Sequence, residues 1–77
     1  MAETFDQKVG LLLKTLAREQ RKTQDDLARV LGCSQPQMGK YLRGENKVKS
    51  SDLYLLTDNL GLTMAEFWEM FENDDRN

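Results

Sequence analysis

The chain has 77 residues, enough for one small domain and too few for a second. It holds one cysteine and no histidine, which excludes an intrachain disulfide, a Cys/His zinc centre and histidine-based catalysis. The formal net charge of −2 is unevenly spread: residues 1–49 hold ten Lys/Arg against six Asp/Glu, residues 50–77 one against seven, giving +4 and −6. One segment suits phosphates and the other would be held away from them; solubilising surface charge accounts for the split equally well.

No apolar run approaches the ~18 residues of a membrane span. The polar, acidic start from Met1 to Asp6 has no signal-peptide character, and a lone thiol fits a reducing cytoplasm. Folding so short a chain buries only roughly 60% of its surface, so a partner is expected.

Phe5, Val9, Leu12 and Leu16 recur at i, i+4, i+7 and i+11, widened by Leu13 and Ala17. This spacing predicts an amphipathic helix over 5–19 with Thr4 as N-cap. Gly10 weakens it by about 1 kcal/mol. Thr23 caps a second helix whose first turn carries Asp25 and Asp26, where negative charge meets the positive helix end. Leu27, Ala28 and Leu31 form its buried edge, and Gly32 ends it because a left-handed residue after the last turn favours glycine.

Ser34 caps a third helix, with Pro36 in the first turn, where a missing N–H costs nothing. Met38, Tyr41 and Leu42 share its apolar face. Pro36, Lys40 and Arg43 lie opposite, with Gly39 on their flank, so the outward face is basic and free of bulk at one position. Gly44 to Lys49 form a loop with two lysines. Ser50 or Ser51 caps a fourth helix built on Leu53, Leu56 and Leu60 and closed by Asn59-Leu60-Gly61. Thr63 and Glu66 make a capping box, with Leu62 and Phe67 as its hydrophobic staple, for a fifth helix reaching about Glu72. Residues 73–77 read as a frayed, disordered tail. The expected fold is all-α: one domain over 1–77, with five helices and no strand.

The second and third helices carry the functional signal, over about residues 24–43. A close helix crossing needs a small residue, and Ala28 supplies it. The sharp turn needs a positive φ, and Gly32 supplies it. Leu27, Leu31, Cys33, Met38 and Tyr41 fill the angle. Helix pairs joined this way place the second helix in the DNA major groove.

Arg18-Glu19, Thr23-Gln24-x-x-Leu27-Ala28, Leu31-Gly32-x-Ser34-Gln35, Tyr41-x-x-Gly44 and Leu60-Gly61-Leu62-Thr63 stand together over residues 9 to 71. In this combination the chain resembles the lambda-repressor-like (Cro/CI, XRE-type) DNA-binding family. The family's usual glycine and apolar residue before Thr-Gln are here Arg21 and Lys22. The resemblance implies a five-helix domain that reads palindromic DNA as a homodimer.

It also implies roles. Gln24, at the start of the second helix, would clamp a phosphate. Ser34 and Gln35 would reach base edges; glutamine on adenine is worth about 1–3 kcal/mol of discrimination. Lys40 would read guanine or hold phosphate, with Arg43 further along the same face. Asn46, Lys47 and Lys49 would touch the backbone, joined by Arg21 and Lys22. Gln37 lies on the flank. Pro36 would meet a thymine methyl, and Gly39 would let the helix approach the groove. Plain solvent exposure is the competing reading for Gln35, Gln37, Lys47 and Lys49. Cys33 reads as a small core residue.

Trp68, Met70 and Phe71 exceed what a short terminal helix buries on one side and point to a dimer interface. Packing of Trp68 on Phe5 is the alternative. These features suggest a transcriptional regulator, more a repressor than an activator, with double-stranded DNA as partner and no cofactor. The rival reading is an antitoxin or interaction adaptor working through the acidic fifth helix. An enzyme is not expected, because no histidine and no glycine-rich phosphate loop assemble a catalytic group.

Overall fold

The computed structural model describes residues 3–73, which form five helices and no strand. These are α1 (Phe5–Glu19), α2 (Gln24–Leu31), α3 (Gln35–Leu42), α4 (Ser50–Asn59) and α5 (Met64–Asn73). Helix α1 packs against α3 and α5, α2 against α3 and α4, and α4 against α5. No helix among the described residues is long and apolar enough to cross a membrane. Asn73 is the last residue of α5 and not part of a tail. The rest of the expected tail lies outside the described residues.

Side-chain caps set most helix starts. Thr4 with Gln7, Thr23 with Asp26, and Thr63 with Glu66 each exchange a reciprocal pair of hydrogen bonds at 2.8–3.1 Å. The Ser34 hydroxyl accepts from the Gln37 amide at 3.2 Å. Such a cap contributes about 1 kcal/mol. The bonds from Thr23, the backbone amide foremost, hold the Asp26 carboxyl below its ordinary range.

Helix α4 departs from the expected pattern. Its N-cap is Lys49, with no side-chain cap, and Ser50 is already helical. Val48 is packed against the core, and the Lys49 carbonyl accepts from the Leu53 amide at 2.8 Å. The anchored loop therefore starts the helix one residue before serine chemistry would.

Leu13, Leu27, Met38, Leu56 and Phe67 are fully buried and tie all five helices together. Each such side chain contributes roughly 1.5–3 kcal/mol. Phe5 does not join them: at the first position of α1 it remains 59% exposed. It stacks on Trp68, with centroids 5.9 Å apart, and tilts against Phe71 at 5.1 Å. The packing of Trp68 on Phe5 is thus present within a single chain.

The helix-weakening Gly10 is required in α1 for a reason invisible to propensity. A Cβ there would collide with the Leu42 carbonyl oxygen and lie 2.7 Å from that of Tyr41. Helix α1 crosses the end of α3 backbone to backbone at this point. At the other end of α1, Arg21 adopts φ 59°, the left-handed conformation that glycine usually fills. The Lys22 amide then closes the helix on the Ala17 carbonyl at 2.8 Å.

Candidate nucleic-acid interface

The turn between α2 and α3 is built on Gly32, at φ 69°, with the Cys33 amide bonded to the Ala28 carbonyl at 3.0 Å. This holds α3 across α2, with its apolar side on Met38 turned into the core. Ser34, Gln35, Pro36 and Lys40 are exposed along the outer side of α3, and Gln37 is half-buried. Among the described residues, the side chains of Gln35 and Lys40 have no hydrogen-bond or ion-pair partner.

Gln24 is exposed at the first position of α2. Its amide Nε2 donates to the Gln35 carbonyl at 2.8 Å, stitching the start of α2 to the start of α3. One N–H and the side-chain oxygen remain available to a second partner. Gly39 corrects the expectation drawn from its position: it is buried. A Cβ there would come within 3.0 Å of both the Gln24 amide nitrogen and an Arg43 guanidinium nitrogen. The space beside it is taken by the ends of the Gln24 and Arg43 side chains.

Arg43, at the C-terminal cap of α3, donates from Nε to Glu45 at 2.7 Å. That hydrogen bond holds the Glu45 carboxyl below its ordinary range and raises Arg43. Between Gly32 and Lys49, Glu45 is the single acid against Lys40, Arg43, Lys47 and Lys49. The loop after α3 folds back on it, with the Glu45 amide on the Lys40 carbonyl at 2.9 Å. Gly44, at φ 75°, lies directly against the Gln7 backbone, where a side chain has no space. Lys47 is exposed at the end of this fixed turn and Asn46 is half-buried.

The segment between α1 and α2 is divided in its use. Arg21 is exposed. Lys22 is occupied: its Nζ donates to the Asn59 carbonyl at 2.7 Å and to the Asn59 side chain at 2.9 Å. Gln20 caps the neighbouring Leu60 carbonyl at 2.6 Å. The expected phosphate contact of Lys22 is therefore replaced by a C-terminal cap of α4. Nothing in the spacing of the sequence signals either bond, because their partners lie 37 and 40 residues away.

On α5, Glu66, Glu69 and Glu72 are exposed. Trp68 and Phe71 are half-buried in the ring cluster with Phe5, while Met70 is 40% exposed. Tyr54 and Leu55, which fall off the spacing of the core leucines of α4, are exposed.

A short, glycine-turned helix pair presenting a polar, basic second helix defines a helix-turn-helix DNA-binding domain. A family model described as a helix-turn-helix domain matches residues 8–69. The chain belongs to that helix-turn-helix family, in line with the helix pair read from its sequence. Among solved structures, a point mutant of the restriction-modification controller protein C.Esp1396I is similar in fold. The TM-score is 0.82 at 23% identity, over 96% of this chain and 94% of that one. No curated protein matches the chain.

Proposed function

We propose that the chain is a transcriptional repressor that reads a palindromic operator as a homodimer. The observation that carries this reading is the outer side of α3, where Gln35 and Lys40 are exposed and unengaged while the helix itself is pinned from behind. Polar groups held ready on a fixed helix suit base edges. Gln24, Ser34, Pro36 and Gln37 flank that contact, and Arg43, Asn46 and Lys47 face the phosphates beside it. The acidic α5 is turned to solvent or to a second copy. Met70, with the outer edges of Trp68 and Phe71, forms the dimer contact, which would set two copies of α3 ~34 Å apart, one DNA turn. The fold shared with a restriction-modification controller protein fits such a regulatory role.

Selection from a pool of random duplex DNA, at near-physiological salt, tests the reading. The expected result is a palindrome whose half-sites lie about one helical turn apart. Recovery of no enriched sequence by the folded protein contradicts it and favours the adaptor reading through α5.

A further inference from the structure

A cleft of about 330 Å³ lies between the C-terminal half of α1 and the start of α2. Its floor is apolar: Ala17, Leu27 and Leu42. Its rim is basic: Lys14, Arg18 and Arg21, all exposed. No acidic residue lines it. Lys22, on the wall, is committed to Asn59. The three rim cations form no ion pair among the described residues, where Arg29 pairs with Asp25 and Arg43 with Glu45.

A concave site with a hydrophobic floor and a few convergent charges is the form that takes a small molecule, and the volume falls within the ~300–1,000 Å³ of such sites. Charge complementarity fixes the sign of its occupant. We propose that this cleft binds a small amphipathic carboxylate, its aromatic or branched apolar body on the partly exposed Leu42 and the aliphatic stem of Lys14, and its anion between Arg18 and Arg21. Gln24 forms part of the same wall, so the occupant sits beside the start of α2.

The test is a titration of the nitrogen-labelled full chain with cinnamate, followed by amide chemical shifts in the absence of DNA. Saturable shifts are expected at Ala17, Leu27 and Leu42, with millimolar or tighter affinity. Uncharged cinnamyl alcohol, and cinnamate on an Arg18→Gln, Arg21→Asn double variant, should each bind about tenfold more weakly, as loss of two partly exposed charge contacts implies. Asparagine tolerates the left-handed backbone at 21, and unchanged shifts elsewhere establish that the variant is folded. The proposal is overturned by the absence of saturable shifts, by shifts centred on the Phe5 and Trp68 end, or by equal binding of the alcohol. It stands or falls apart from the operator reading, since no DNA is present.

Discussion

Two stretches of α1, its middle and its start, are packed by opposite means. Near its middle, Gly10 lies on the carbonyls of Tyr41 and Leu42, backbone against backbone, with no space for a methyl group. At its start, Phe5 meets Trp68 and Phe71 ring to ring and keeps more than half its surface in water. The first contact brings α1 and the end of α3 too close to admit even a methyl group. The second is adaptable and unfinished. A helix that must present side chains to base edges needs the first kind of support, whereas apolar surface left over at a terminal helix suits a partner.

Adding one methyl group to the tight crossing should have the largest effect. Alanine normally favours a helix over glycine by about 1 kcal/mol. Gly10→Ala should reverse that sign and destabilise by about 1–3 kcal/mol through overpacking, measured by denaturant unfolding. A stabilised variant would mean that α1 and α3 are not held at this distance.

At the soft end, Met70→Glu should abolish the proposed dimer in sedimentation experiments while leaving thermal unfolding of the monomer nearly unchanged. Met70 is exposed and outside the ring cluster, so a dimer that survives the change uses another face, with Tyr54 and Leu55 the next apolar surface to test. On the basic side, Lys47→Ala should weaken binding evenly across DNA sequences and flatten the logarithmic salt slope by about one unit. Loss confined to particular sequences would make Lys47 a base contact.

Two smaller effects concern the turns that frame α2. Arg21→Gly relieves a left-handed residue and should stabilise the fold by about 0.5–1 kcal/mol, read as a raised unfolding midpoint. Asp26, held below its ordinary range by the Thr23 amide and hydroxyl, contributes stability that is present above the ordinary carboxylate range. That contribution is lost as pH falls through the depressed value, so Asp26→Asn should show a shallower loss of helicity with acid. Equal acid sensitivity in both proteins would place the cap elsewhere.

Local chemistry made much of this molecule legible in the sequence. The threonine and serine caps, the glycine turn and the leucine spacing act within a few residues, and four of five helix starts follow from them. Ser50 failed as a cap because Val48, anchored in the core, decides where the loop ends. The outward face of α3 was readable from helical angle, but what lies over it was not. Gly39 falls on the flank by angle, yet Gln24 and Arg43 cover it from two directions. Lys22 looked like a free base because Asn59, its partner, is distant in the chain. Propensity and spacing carry no information about such tertiary polar contacts.

The central claim is that the basic side of α2, α3 and the following loop meets DNA while the acidic α5 faces away. The most direct measurement is the change in amide and side-chain shifts when duplex DNA is added to the labelled chain. The account predicts perturbation at Gln24, Gln35, Lys40, Asn46 and Lys47, with Glu66, Glu69 and Glu72 unmoved by the DNA. Shifts centred on α5, or none at all, would contradict it.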